Sequence, residues 1–327
     1  MYETTIIYPS PDIYRYTRVG RSHMTHDQKN ILSVRDMDRE EIDALLTAAA
    51  KFDQREFTGH ELDGKILAVL FFEPSTRTRM SFSSAMMRLG GKILNLGSVE
   101  ASSIAKGETL SDTIRVISGY ADAIVLRHPK EGAARLASEV ATVPVINGGD
   151  GAGQHPSQTL LDLFTIRKSM RLENIDIGLQ GDLRYGRTVH SLADALTKYN
   201  NIRLHTIAPE GLDLPNHLKQ DLTDAGMEII VHENIEEALP ELDVLYVTRL
   251  QRERFPDPAA FANFAATYRI TPDLLERAKP SMIVLHPLPR VDEIDPAVDS
   301  LPCAKYFQQA HYGVPVRMAM LHEVMSS

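Results

Sequence analysis

Cysteine is almost missing from this chain: Cys303 is the only one in 327 residues. A single thiol excludes an intrachain disulfide and a thiolate metal cluster, and it fits a reducing compartment such as the cytoplasm. Long apolar runs are missing too. The longest, "ILAVLFF" from Ile66 to Phe72, is far short of the ~20 residues a membrane-spanning helix needs. Positive charge is scarce, with 35 Lys and Arg against 44 Asp and Glu for a net charge of -9. That balance argues against a general nucleic-acid or membrane-binding face, so any anion site must be local. The opening "MYETTIIYPSPDIYRYTRVGRSHM" lacks the basic start and apolar stretch of a secretory signal. It reads as an extension over residues 1–24, partly ordered by its four tyrosines.

What is present is a core-forming chain with a repeated rhythm. At 43% hydrophobic content and this length, two domains are expected. "DREEIDALLTAAAKF" predicts a helix with Asp38 as N-cap, Glu41 three residues on, and an apolar stripe of Ile42, Leu45, Leu46 and Ala49. Strand-length apolar runs follow, "KILAVLFF", "KILNL", "AIVLRH" and "PVING", separated by helical patterns such as "GETLSDTIRVISGY" and "EGAARLASEV". The alternation starts again with "DIGLQG", "RLHTIA", "EIIVHE", "VLYVTR" and "MIVLHP". Such a pattern predicts an α/β chain of two domains, each a parallel sheet with helices on both faces, joined near "HPSQTLLDLFTIRKSM". "GVPVRMAMLHEVM" reads as a terminal helix whose docking partner the sequence leaves undetermined.

The unusual polar residues share an address. Glu73 to Arg79, Arg127 with His128, Gly148 to His155, Asp182 to Arg187, Arg249 to Arg254 and His286 to Arg290 are each expected just past the carboxyl end of a strand. Open parallel sheets bind ligands there, and a cleft between two sheets would gather all six segments. "PSTRTR" can be a plain N-cap before an exposed helix. It can also be a phosphate cradle, since hydroxyls, the free N–H groups of a helix start and the Arg77 fork all suit a dianion. Arg127 reads as a surface arginine or a ligand group, and His155 as a helix cap or a chemical one. "GDLRYGRT" almost spells a P-loop, yet Arg187 replaces the required lysine and Leu183, Arg184 and Tyr185 are too bulky for a phosphate wrap. "HENIE" and "LHEVM" each lack the second histidine of a zinc helix, and no metal is expected. A "GxSxG" elbow is absent and Cys303 has no activating partner, so covalent catalysis has no candidate.

Taken in order, "FFEPSTRTR", "KGETLSDT", "RHPKEGAARLA", "GDGAGQHPSQTLLDLFT", "GDLRYGRTVHSL", "TRLQRERF", "HPLPRVDEI" and "KYFQQ" resemble the catalytic chains of the aspartate carbamoyltransferase family from about residue 28 onward. The resemblance implies a cofactor-free transferase making N-carbamoylaspartate for pyrimidine synthesis, with its active site in the cleft between the domains. Ser75, Thr76, Arg77 and Thr78 would hold the phosphate of carbamoyl phosphate, and Arg127 would bridge phosphate and carbonyl oxygen. Thr78, Arg127 and His155 would polarise that carbonyl. Gln158 would take the carbamoyl amino group together with backbone carbonyls near Pro287 and Leu288. Arg187 and Arg249 would clamp aspartate, assisted by Gln251, with Leu288 and Lys106 also against it. Ser102 and Lys106 would reach in from the neighbouring subunit of a homotrimer. Glu73 would pair with Arg187 and Arg254 on domain closure.

The same resemblance implies a carbamoyl phosphate-binding domain over residues 25–155, completed by a C-terminal helix at 306–327, and an aspartate-binding domain over 156–305. Within the family some catalytic trimers stand alone and others carry a regulatory chain or partner enzyme; the resemblance is compatible with either. Its nearest rival is the ornithine enzyme, which carries Cys-Leu-Pro where this chain has Pro287, Leu288 and Pro289, and whose cationic substrate Arg249 would repel. A non-catalytic scaffold of the same family is the other alternative, opposed by the intact Ser75, Arg77, Lys106, Arg127, His155, Arg187 and Arg249.

Overall fold

The structure, a computed structural model, describes residues 28–97, 107–151, 153–250 and 268–326. The expected N-terminal extension, Ser102, Lys106, Gln251 and Arg254 lie outside these residues. The described chain forms two parallel sheets. The first contains β1 (Ile66–Phe71), β2 (Lys92–Asn95), β3 (Ala123–His128) and β4 (Val145–Asp150) in the order β2-β1-β3-β4. The second contains β5 (Ile175–Gln180), β6 (Ile202–Ile207), β7 (Glu228–His232), β8 (Val244–Val247) and β9 (Ile283–Leu285) in the order β7-β6-β5-β8-β9. The two-domain α/β reading is therefore correct.

Burial explains why the strands are short and uniformly apolar. Leu67 and Val69 of β1 enter one hydrophobic cluster while Ala68 and Leu70 enter another on the opposite face. A strand covered on both sides has no polar position to alternate with. Helix α1 (Arg39–Asp53) starts as expected. The Asp38 carboxylate accepts from Glu41 N at 2.8 Å, the Glu41 carboxylate accepts from Asp38 N at 3.0 Å, and Ile42, Leu45, Leu46 and Ala49 are buried.

Between the strands of the first sheet lie α2 (Thr76–Arg88), α3 (Leu110–Ser118) and α4 (Ala133–Val140). Helix α5 (Pro156–Ser169) follows β4 and leads into the second sheet, where α6 (Arg187–Leu196) and α7 (Asn216–Asp224) alternate with strands. Pro156 through Ile166 are buried except Gln158, so α5 is an internal post between the sheets rather than a solvated linker. The C-terminal helix (Tyr306–Met325) leaves the second sheet and packs on α1, α2 and α5, which answers the docking question the sequence left open. Pro315 lies inside this helix. Among the described residues, no helix is long and apolar enough to cross a membrane.

Each sheet has one point where the chain reverses its direction of growth, between β1 and β3 in the first and between β5 and β8 in the second. Connections leave such a point to opposite sides, opening a crevice at the carboxyl ends of the strands. The segment after β1 and the end of β3 flank one crevice. The segments after β5 and β8 flank the other.

Candidate active site

A single cavity of about 690 Å³ joins the two crevices. The first sheet lines it with Ser75, Thr76, Arg77, Thr78, Arg127 and Gly151, and α5 adds His155 and Gln158. The second contributes Asp182, Arg187, Thr248, Arg249 and the turn His286 to Pro289, while the C-terminal helix adds Gln309 and Arg317. One expectation needs correction. Arg127 and His128 are the last two residues of β3, and Gly148 to Asp150 belong to β4, rather than lying past those strands. Pairing with neighbouring strands extends to the cavity wall and holds these backbones rigid.

Helix α2 points its N-terminus at the cavity. Ser75 is its N-cap residue, with an extended backbone, but its side chain makes no capping hydrogen bond, and no acidic residue lies in the first turn. The hydroxyl and the first-turn N–H groups are thus available to an anion, which weakens the plain-cap reading. Thr78 is buried on the same turn. Desolvation pushes the Arg77 pKa down.

Arg127 donates from Nη1 to Gly148 O at 3.1 Å and pairs through Nη2 with Glu73 Oε1 at 2.5 Å, while its buried Nε has no hydrogen-bond partner. Burial, then the Arg187 charge, lower its pKa to about 10, so the guanidinium stays cationic at neutral pH. Glu73 also reaches Arg187 Nη2 at 3.6 Å. The expected Glu73–Arg187 contact is present, but the shorter one is to Arg127. Gly149, at φ 115°, supplies the clearance: a Cβ there would come within 2.8 Å of Arg127 Nη1. Arg187, the first residue of α6, donates to Gly151 O across the domain boundary.

His155 occupies the N-cap position of α5 without a capping bond, so the cap reading does not account for its side chain. Burial, reinforced by Arg187, Arg127 and Arg317, holds its pKa well below the ordinary histidine value, so the ring is neutral. Arg317 can only donate, and its Nη2 lies 3.1 Å from Ser157 Oγ; the Ser157 hydroxyl is in turn 3.4 Å from His155 Nδ1. Ser157 therefore accepts from Arg317 while its hydroxyl lies beside the histidine ring.

Two further groups escaped the sequence reading. Asp162 is fully buried one turn beyond Gln158, and its carboxylate accepts from Gln158 Nε2 at 2.8 Å, Gln309 Nε2 at 2.6 Å and Tyr246 OH at 2.9 Å. Desolvation raises its pKa to about 7 despite these donors. Arg317 is buried too, 5.0 Å from the Phe82 ring, with a pKa lowered by burial to about 9. The signals were a lone Asp inside "TLLDLF" and a lone Arg inside "GVPVRMAML", because a charge amid apolar residues is rarely placed without a partner. The turn after β9 is braced separately. His286 bridges Leu288 N at 2.8 Å and Glu293 Oε1 at 2.7 Å, and Leu288 adopts φ 54° before a cis bond to Pro289.

Chemically, the cavity offers hydroxyls and a helix N-terminus for one anion, cationic Arg187 and Arg249 for another, and a neutral donor at His155 between them. Among the described residues, no group of three or more metal-ligating side chains is assembled.

Two family models match the chain: "Aspartate/ornithine carbamoyltransferase, carbamoyl-P binding domain" over residues 29–168, and "Aspartate/ornithine carbamoyltransferase, Asp/Orn binding domain" over residues 173–324. The aspartate carbamoyltransferase catalytic subunit of Methanocorpusculum labreanum is 84% identical over 303 residues, covering 93% of this chain and 100% of that one. The corresponding subunit of Methanoculleus marisnigri is 66% identical over 296 residues, covering 90% and 99%. Among solved structures, the catalytic subunit of M. jannaschii aspartate transcarbamoylase superposes with a TM-score of 0.87 at 50% identity, covering 91% of this chain and 98% of that one. The Trypanosoma cruzi aspartate transcarbamoylase in complex with carbamoyl phosphate and aspartate gives 0.84 at 43% identity, covering 91% and 97%.

Proposed function

The chain belongs to the aspartate/ornithine carbamoyltransferase family, and from that premise we propose how its cavity works as the active site of an aspartate carbamoyltransferase. The enzyme transfers the carbamoyl group of carbamoyl phosphate to the α-amine of L-aspartate, giving N-carbamoyl-L-aspartate and phosphate. The observation that carries this reading is the two-sided cavity, with a helix N-terminus, Arg77 and Arg127 on one wall and Arg187 and Arg249 on the other.

Ser75, Thr76, Arg77 and Thr78 bind the phosphate, and Arg127 reaches both phosphate and carbonyl oxygen. The carbonyl oxygen lies among Thr78, Arg127 and His155. Gln158 and the backbone at Pro287 and Leu288 take the amino group. Arg187 and Arg249, with Gln251, Leu288 and Lys106, take the two carboxylates of aspartate. The aspartate amine attacks the carbamoyl carbon, forming the C–N bond and moving the carbonyl π pair onto oxygen. That oxyanion is stabilised by donors already in place. As the carbonyl re-forms, the C–O bond to phosphate breaks, and the departing phosphate keeps the electron pair and accepts the amine proton. Neutral His155 serves as a hydrogen-bond donor rather than a base. No enzyme nucleophile is needed because both substrates are held together in a site from which water is displaced.

The same proposal covers organisation and setting. The active unit is a homotrimer in which Ser102 and Lys106 enter the neighbouring site. Supporting this, edge strand β2 and helix α2 leave Met80, Met87 and Leu94 exposed, an apolar surface suited to a subunit contact. The carbamoyl phosphate domain spans residues 25–155 with the C-terminal helix, the aspartate domain spans 156–305, and Glu73 meets Arg187 and Arg254 on closure. The enzyme serves pyrimidine biosynthesis in the cytoplasm.

The reading is tested by incubating the protein with carbamoyl phosphate and either aspartate or ornithine. Carbamoylaspartate should form and citrulline should not; citrulline formation, or no turnover with either amine, would overturn it.

A further inference from the structure

We propose that Asp162 is a positioning residue that makes the site select an amino-bearing acyl donor, by holding the Gln158 amide with its nitrogen inward and its carbonyl oxygen toward the cavity. The inference rests on the proposed role of Gln158 and assigns the cause of its orientation.

A glutamine amide has a donor end and an acceptor end that are nearly alike in shape, so only its partners decide which end faces a ligand. Gln158 Nε2 lies 2.8 Å from Asp162 Oδ1. A carboxylate can only accept, so the nitrogen end of Gln158 is committed to the protein interior. What remains for the cavity is an acceptor. The carbamoyl amino group is conjugated with its carbonyl, so it donates two hydrogens and accepts none. A flipped Gln158 would set donor against donor.

The same Asp162 oxygen governs the opposite wall. Gln309 Nε2 donates to it at 2.6 Å, and this fixes Gln309 Oε1 as the acceptor for His286 N at 2.8 Å. Thus one buried oxygen orients a side chain on α5 and tethers the start of the turn carrying Pro287 and Leu288. Protonation would not reverse the arrangement. A proton on Oδ2 would face the Tyr246 oxygen at 2.9 Å, leaving Oδ1 as acceptor for both glutamines.

The test compares phosphonoacetamide with acetonylphosphonate, which share a phosphonate and a carbonyl but differ by an amino group against a methyl. Titration calorimetry on the unmutated protein should show the amide binding about ten- to a hundredfold tighter, the worth of one or two hydrogen bonds. Asp162→Ala should reduce that preference to within about threefold while acetonylphosphonate binds as before, because the phosphate cradle is untouched. Asp162→Asn should restore the preference, since its oxygen can serve both glutamines while its nitrogen faces Tyr246. If Asp162→Ala keeps the full preference, or weakens both ligands equally, the positioning role is wrong. Gln158→Ala separates the two levels: if it keeps the preference, it is the assignment of Gln158 to the amino group that fails. Should Asp162→Ala not fold, a crystal structure of the unmutated protein with phosphonoacetamide decides. Gln158 should still touch Asp162 while meeting the ligand nitrogen; a Gln158 swung away from Asp162 would overturn the proposal.

Discussion

Arg249 and Arg127 line the same cavity, but the proposed function assigns them to different halves of the reaction. Arg249→Ala should raise the aspartate requirement strongly and leave carbamoyl phosphate binding nearly intact, at a cost of about 2 to 5 kcal/mol for a charge-assisted contact. Calorimetry with carbamoyl phosphate and initial rates against aspartate would check it; loss of carbamoyl phosphate binding instead would reverse the assignment of walls to substrates. Asp162 makes a prediction about stability. Its carboxyl is raised from 3.8 to about 7, chiefly by desolvation, so between those values the folded chain holds a proton that the unfolded chain has released. The associated stability is present below the lower value and lost as pH rises through the upper one, to a total of about 4 kcal/mol. The Asp162→Asn side chain has no proton to exchange in this range. Urea midpoints should therefore show the parent losing ground to Asp162→Asn as pH is raised from 5 to 8. His155 acts in the opposite sense, since its lowered pKa removes stability as pH falls. It is common to both proteins and drops out of the comparison. A constant difference across that range would refute the raised carboxyl.

Helix ends carry much of the local specification. Helix α1 begins with a reciprocal pair between Asp38 and Glu41, and Asp38→Ala should cost about 0.5 to 2 kcal/mol by orphaning first-turn N–H groups. Chemical denaturation would measure this, and Michaelis constants for both substrates should be unchanged because α1 lies away from the cavity. A kinetic effect without a stability loss would mean that α1 is coupled to the site. Helix α2 is the contrasting case. Its N-cap Ser75 forgoes the capping bond, and its first turn carries Arg77 and no acid. It gives up a stabilising contact where an anion can supply one. The C-terminal helix joins these elements, since Tyr306 and Gln309 are buried near β9 while Val316 to Leu321 pack toward α1, α2 and α5.

Considered as an assembly, the chain sets a strongly cationic cavity into a body of net charge -9. Local focusing can then draw in doubly charged substrates while the remaining surface stays unattractive to polyanions. The proposed shared-site trimer makes a sharp prediction. Arg77→Ala and Lys106→Ala chains should each be nearly inactive, yet unfolding them together and refolding should restore activity. With random exchange about three-quarters of cyclic trimers are mixed and hold one intact site each, giving about a quarter of the parent rate. If both residues served the same chain's site, every site in the mixture would carry a lesion and the mixture would stay silent.

The elements were legible in the sequence because their causes are local. "ILAVLF" reads as a doubly covered strand, Asp38 and Glu41 read as a capping box, and "PSTRTR" reads as a helix start suited to anions. Strand alternation foretold both sheets, and the position of polar residues near strand ends foretold the cleft. The boundaries at β3 and β4 were misplaced, because whether Arg127 or Gly148 still pairs with a neighbour depends on the neighbouring strand's length. Asp162 was missed for a deeper reason. Its donors are Gln158 one turn away, Tyr246 84 residues on and Gln309 147 residues on; Tyr246 comes from β8 of the second sheet, and Gln309 arrives because the C-terminal helix folds back against α5. Arg317 reaches Ser157 across 160 residues in the same way. Period and capping act over a few residues and can be read from the chain. The partner of a buried charge is selected by packing between distant segments, and that selection exists only once the chain has folded.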